Sequence, residues 1–251
     1  MFINDAHPSF VNKPEGDVVV WRYMDLARFM SILESKTLNF TRADFMADKW
    51  EGSYSYANVE QRPGRYGEHF EMMIKDAEAR LDGSRKTMFL NCWHVSNEES
   101  AAMWDIYQRE GRGVAIKTTW GRLTSSLKGN VGVYGAYVNY VDYKTTFISE
   151  TTTFDPFLHK RLSFAHEKEA RLIFMEMKVG QIEMPHGPEN AILGYYDPAF
   201  PVPIDVEELI EVVYIAPDTP SWISDLVTSI VKTYGYEFTV RQSDLANDPI
   251  A

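Results

Sequence analysis

Residues 164–177 read Phe164-Ala-His-Glu-Lys-Glu-Ala-Arg-Leu-Ile-Phe-Met-Glu-Met177. The apolar run Leu172-Ile-Phe-Met175 has the length and composition of a buried strand. Just before it stand two carboxylates, Glu167 and Glu169, one residue apart, and then Arg171. In an extended chain, positions i and i+2 share a face. A strand beginning at Glu167 would therefore present both carboxylates and Arg171 on one side of a strand mouth. Three ionisable groups beside apolar strand residues are costly to desolvate, which marks this segment as a candidate site.

Upstream, the patterning predicts strands at 18–23, 38–41, 87–94, 113–117 and 131–143, the last with aromatic alternation at Tyr134, Tyr137 and Tyr140. Asp25 is placed to cap a helix whose Leu26, Phe29, Met30 and Leu33 recur at helical spacing. Further helices are predicted at 68–81, stopped near Gly83, at 98–109 with Ser96 or Asn97 as cap and Met103, Trp104, Ile106 and Tyr107 inside, near 120–127, at 156–165, and at 221–235 with Ser221 as cap. Arg62-Pro-Gly-Arg-Tyr-Gly67 reads as a flexible break, and 180–203, rich in breakers, as a long loop forming a rim or lid. Downstream, 209–216 and 237–241 complete the strands. Regular strand–helix–strand alternation is missing, so a doubly wound parallel sheet is not expected. The expectation is one α+β domain over 1–251, core about 18–245 behind a tail at 1–15, with a mixed, largely antiparallel sheet and packed helices.

The chain has 251 residues, is 14% aromatic and carries a formal charge of -11, which argues against a broad nucleic-acid surface though not against a local basic pocket. A single cysteine, Cys92, cannot form an internal disulfide and lies in an apolar stretch, where it reads as core. The N-terminus has no basic n-region or apolar h-region, and no run reaches membrane-spanning length, so a cytoplasmic protein without membrane attachment is expected.

Neither phosphate-binding glycine fingerprints, nor a nucleophile elbow, nor a metal-ligand spacing occurs, and no metal is expected. Four places carry chemistry instead. Arg22, in Trp21-Arg22-Tyr23, needs a partner or a cleft: it is an anion clamp or pairs with the Asp44, Asp48, Glu51 loop. Cys92-Trp-His-Val-Ser-Asn-Glu-Glu-Ser100 passes from strand to helix, where hydroxyls cap a helix or hold a ribose or phosphate. The 44–51 loop would bind a divalent cation or, more simply, cap and pair with Arg22 and Arg42. The fourth place is Lys160 and Arg161 through Arg171, a candidate cleft or a solvated charged strand end.

Taken together, Arg22-Tyr-Met-Asp-Leu26, Phe45-Met-Ala-Asp48 with Glu51-Gly52, Cys92-Trp-His94, Met103-Trp-x-x-Tyr107, Lys160 and Glu167-x-Glu-x-Arg171 resemble the prokaryotic domain-of-unknown-function family 2971, from about Val18 to Leu245. Phe45-Met-Ala-Asp48 departs from the Phe-Asn-Asp-Pro more usual there. More distantly, the layout is similar to the ADP-ribosyltransferase superfamily. That resemblance implies a split sheet and NAD as substrate. It implies Glu169 as the catalytic carboxylate with Glu167 as general base, and cofactor contacts from Arg22, Tyr23, Trp93, His94, Ser96, Lys160 and Arg171. Ser100 competes with Ser96, and Tyr140 is a second stacking candidate beside Trp93.

The implied chemistry is cleavage of the nicotinamide–ribose bond through a cationic, oxocarbenium-like sugar that a nearby carboxylate stabilises. The expected function is an NAD-consuming transferase or glycohydrolase in a bacterial toxin or defence setting, with the acceptor unnamed. Two alternatives stand beside it: a non-catalytic ligand-binding or sensor module, and a metal-dependent nuclease using Glu167, Glu169 and Lys160 with Asp142.

Overall fold

The computed structural model describes residues 1–3, 6–67, 81–107, 113–184, 187–193 and 197–247. Its sheet is organised around β3 (Met88–Val95). One edge of β3 pairs along its length with β8 (Glu169–Met175), from Met88↔Met175 to His94↔Glu169. The other edge is shared. β2 (Thr37–Arg42) takes it at Leu90 and Phe89, and β1 (Val19–Asp25) takes it at Val95 and His94. Residues 91–93 therefore have no strand partner on that edge, and the sheet is split there.

Outward from β1 the order continues through β4 (Gly113–Thr119), β12 (Val212–Ile215) and β13 (Thr239–Gln242), while β11 (Ala199–Pro203) lies outside β2 and β5 (Tyr134–Tyr137) outside β8. Among the described residues only the β12–β13 pair is parallel within this sheet. A short parallel pair joins β6 (Asn139–Val141) to β7 (His159–Arg161), and β9 (Lys178–Met184) forms a two-stranded ribbon with β10 (Gly187–Leu193). This is the expected α+β architecture with a mainly antiparallel sheet.

Strand alternation divides the core. Val20 and Met24 of β1 face a large cluster with Phe29 and Leu33 of α1 (Leu26–Ser35) and Val227 and Val231 of α6 (Ser221–Thr233). Trp21 and Tyr23 face the other way, onto Met103 and Trp104 of α3 (Ala101–Tyr107). α1 begins as its sequence predicts: the Asp25 carboxylate accepts from the Arg28 N–H at 2.8 Å. It ends at Lys36, which adopts a left-handed φ of 52° and donates to the Ile32 carbonyl at 2.9 Å. The shorter helices are α2 (Tyr56–Tyr66), α4 (Trp120–Ser126) and α5 (Val206–Leu209).

Several local expectations fail, each to a longer-range contact. The break expected at 62–67 lies largely inside α2, which runs through Pro63. Buried Asn58 anchors it, bonding both the carbonyl (2.7 Å) and the N–H (2.9 Å) of Ile148, and this tertiary tie overrides local propensity. The helix expected at 68–81 falls mostly outside the described residues, and 81–87 are helical, so Gly83 is no stop. Residues 131–143 break into β5 and β6. The helix expected at 156–165 is instead a 3₁₀ turn (Asp155–Leu158), β7 and a second 3₁₀ turn (Leu162–Glu167), because β7 pairs with β6. The loop expected at 180–203 holds parts of the β9–β10 ribbon and β11. Pro188, Pro201 and Pro203 fall on edge strands, where a missing N–H is tolerated. α6 has Pro220, not Ser221, at its cap position. α3 starts after Ser100, whose hydroxyl accepts from the Met103 N–H at 3.3 Å, so neither Ser96 nor Asn97 is the cap. Ile106 and Tyr107 are surface residues, not interior ones. Among the described residues no helix is long and apolar enough to cross a membrane.

Candidate active site

The split in the sheet opens into a cavity of about 390 Å³, within the roughly 300–1000 Å³ usual for ligand sites. Arg22 reaches it from β1, Cys92, Trp93 and His94 from β3, Glu169 from the first position of β8, and Glu167 from the turn that precedes it. Asn39 and Thr41 of β2, and Arg28 and Ser31 of α1, line its far side.

Arg22 fills part of the gap at the unpaired β3 edge. Its Nη1 donates to the Cys92 carbonyl at 2.9 Å and to Asn91 Oδ1 at 3.0 Å, and its head lies 5.7 Å from the Trp93 ring centre. Asn91 is buried and works in three directions: Oδ1 also accepts from Trp93 Nε1 at 2.7 Å, and its amide donates to the Asn39 carbonyl at 2.9 Å. Arg22 pairs with no carboxylate among the described residues. The ion pair expected between Arg22 and the 44–51 loop is absent: Asp44 pairs with Arg42, Asp48 with Arg161, and Glu51 with Arg171 and Lys160. Burial lowers the guanidinium's pKa.

β8 begins at Glu169, so alternation does not align Glu167 with it. Glu167 ends the 3₁₀ turn, and Lys168 then adopts a left-handed φ of 41°. That turn directs the Glu167 carbonyl to His94 Nδ1 at 2.6 Å. The carboxylates converge instead on Lys160, which β7 delivers opposite Tyr140 of β6. Lys160 Nζ donates to Glu167 Oε2 and, at 2.9 Å, to Glu169 Oε1, and it stands 3.5 Å from Glu51 Oε1. Arg171 shares a face with Glu169 two residues earlier, as strand spacing requires. It donates to Glu169 Oε2 at 2.6 Å, to both Glu51 oxygens at 2.9 and 3.1 Å, and to the Phe157 carbonyl at 2.6 Å. The Tyr140 hydroxyl accepts from the Glu169 N–H at 2.9 Å.

This cluster sets three carboxylates against two cations, and its two cleft-facing members diverge. Burial opposes ionisation of Glu169, but Arg171, the Glu167 hydrogen bond and Lys160 outweigh it and hold the carboxyl well below the usual range. Burial and the neighbouring Glu169 push Glu167 up to about 7. Burial alone would lower the Lys160 pKa, but Glu169 and Glu51 hold it protonated. A pair of carboxyls driven apart in this way supplies one fixed anion and one group that exchanges a proton near neutrality. Burial lowers the His94 pKa, keeping the ring neutral, and pushes the Cys92 thiol up to about 12, which makes it a poor nucleophile.

Arg22, Tyr23, Trp93, His94, Glu167 and Glu169 line the cavity. Three other candidates do not. Ser96 accepts at its hydroxyl from the Glu98 N–H (3.2 Å) and at its carbonyl from Trp21 Nε1 (2.8 Å), which makes it part of the turn before α3. Arg171 is 0% exposed and cannot touch a ligand. Lys160 lies behind the carboxylates. Ser100 holds the Tyr23 hydroxyl through its N–H at 2.9 Å. Tyr140 supports Glu169 and is not among the cavity residues. The nuclease reading needs a metal ion where the Lys160 ammonium already stands. Asp142 is engaged locally, accepting from the Lys144 N–H at 2.9 Å. Among the described residues no group of three or more His, Cys, Asp or Glu side chains is arranged to hold a metal. Sequence reading missed Tyr107, which lines the cavity, and the Asn91 hub. An asparagine within an otherwise apolar strand was the available signal for the hub.

No protein-family model matches the chain, so the resemblance to family 2971 has no such match behind it, and no curated protein matches it either. Among solved structures, DarT of Thermus sp. 2.9 in complex with ADP-ribosylated ssDNA aligns over 95% of this chain and 100% of its own, at 10% identity and a TM-score of 0.42. The same protein in complex with NAD+ aligns over 94% and 100%, at 10% identity and a TM-score of 0.39. At TM-scores below 0.5, neither likeness bears on what this chain binds or does.

Proposed function

We propose that the chain is an NAD-consuming glycosyl-transfer enzyme, a transferase or glycohydrolase, working in the split of its sheet. The supporting observation is that Arg22, an arginine without a carboxylate partner among the described residues, lines the same cavity as Glu167 and Glu169. Arg22 has donors left for a diphosphate. Tyr107, 38% exposed, offers ring surface for nicotinamide or adenine, whereas Trp93 is buried and only backs the cavity wall. Glu169, ionised at every working pH, stabilises the positive charge that develops on the ribose as its C1′–N bond breaks. The bonding pair leaves with the pyridinium nitrogen, so nicotinamide departs neutral. An acceptor hydroxyl, amine or water attacks C1′, and Glu167 takes its proton.

A second reading, a ligand-binding module without turnover, is favoured by one fact: both Glu169 oxygens are already engaged, by Lys160 and Arg171. Glu169→Gln separates the two. In an enzyme it abolishes nicotinamide release while calorimetric NAD binding persists. In a binding module neither protein releases nicotinamide at all.

A further inference from the structure

The loop after β2, expected from sequence to bind a cation or to pair with Arg22 and Arg42, holds the most deeply buried carboxylate of the site. Glu51 is 1% exposed and does not line the cavity. It grips Arg171 through both oxygens, at 2.9 and 3.1 Å, and Arg171 in turn holds Glu169 at 2.6 Å. The loop is constructed to keep Glu51 there. Asp48 accepts from Arg161 at 2.7 Å and from the Trp50 N–H at 3.1 Å. Gly52 has φ +69°, and a Cβ on it would sit 2.2 Å from the Phe157 ring, whose residue supplies the carbonyl that also holds Arg171. Without Glu51, Arg171 would keep one carboxylate and one carbonyl and could turn its guanidinium plane.

We infer that Glu51 is a positioning residue that orients the Glu169 carboxylate toward the cavity by clamping Arg171 from behind. The inference rests on the reading of Glu169 as the carboxylate facing the reacting sugar. Outer-shell partners of this kind typically matter by about 10- to 100-fold, and a displacement near 1 Å costs a similar factor.

The test is Glu51→Gln, with Glu51→Asp as the substitute if the first does not fold. Two readouts are taken with the full chain. The first is nicotinamide release from NAD: kcat falls about 10- to 100-fold while KM, set by Arg22 and Tyr107, changes less than about threefold. The second needs no turnover. The groups facing Glu167 are Lys160, Glu169 and the hydroxyls of Tyr107 and Tyr140, with His94 bonded to its main chain, and Glu51 acts on it through Lys160 and Arg171. Removing the Glu51 charge frees both cations for the remaining carboxylates. The Glu167 titration midpoint, followed by carboxyl-carbon NMR and assigned with Glu167→Gln, then moves down by about one pH unit. For Glu51→Asp the shift has the same direction and a smaller size. An unchanged midpoint together with unchanged kcat overturns the positioning role, as does a rise in KM at constant kcat. Absence of nicotinamide release from the unsubstituted protein sinks the enzymatic reading instead, and the midpoint then decides the clamp alone.

Discussion

Arg171→Met removes the charge at the centre of the cluster while filling a similar stem volume. Arg171 is 0% exposed and bonds Glu51, Glu169 and the Phe157 carbonyl. Its loss leaves Glu51 and Glu169 buried with only Lys160 to compensate them. Breaking a buried ion pair from one side costs about 3–5 kcal/mol. For a chain this size, at roughly 2–4 °C per kcal/mol, the midpoint of thermal unfolding falls by about 10 °C. The pH dependence identifies the cause. In the unsubstituted protein the Glu169 pKa is depressed, so its contribution is present above the unfolded value of about 4.3 and fades as pH falls below it. In the variant Arg171 no longer outweighs the burial that opposes Glu169 ionisation, so that carboxyl takes up its proton at higher pH than in the unsubstituted protein, which relieves the penalty. The stability difference, measured by urea unfolding, is therefore largest at pH 7.5 and shrinks toward pH 4.5. A loss under about 1 kcal/mol, or an equal loss at both pH values, refutes the account of Arg171 as the counter-charge.

Four further outcomes are expected. Because Glu167 must be ionised to take a proton, nicotinamide release rises with pH through about 7, and Glu167→Gln removes that limb. By linkage its raised pKa costs the unsubstituted protein stability as pH climbs from the unfolded value toward 7, so Glu167→Gln is relatively more stable at pH 8 than at pH 5, as paired thermal melts would show. Arg22→Gln forfeits charge-assisted contacts to a bound diphosphate and raises the NAD dissociation constant about tenfold or more by calorimetry, consistent with roughly 1.5–3 kcal/mol per such bond. Gly52→Ala forces a methyl into Phe157 at a left-handed φ and destabilises by about 1–3 kcal/mol in chemical denaturation.

What the sequence makes legible here is mostly local. Asp25 as a helix cap, the Leu172 to Met175 strand and the buried β1 segment follow from spacing and propensity that the neighbours do not contest. Arg22 stood out because an arginine inside an apolar strand has few ways to be satisfied. The misses come from contacts between residues far apart in the chain. Strand alternation could not place Glu167, because Lys168 turns the backbone before β8 begins. The 156–165 segment follows helical spacing, but pairing with β6 pulls Lys160 into a strand aimed at two carboxylates. Ser96 sits where a strand gives way to a helix, yet Ser100 does the capping and Ser96 folds into the turn. Glu51 meets Arg171 across 120 residues, a distance at which no motif spacing speaks.

The central claim is that Glu169 faces a sugar that becomes cationic. Nicotinamide release from NAD by the purified chain, compared with Glu169→Gln at pH 8 and followed by chromatography, tests it most directly. The account predicts release by the unsubstituted protein and a loss of about a thousandfold in the variant, with the fold and NAD binding retained, as for removal of a single transition-state electrostatic partner. Equal rates in the two proteins would contradict it.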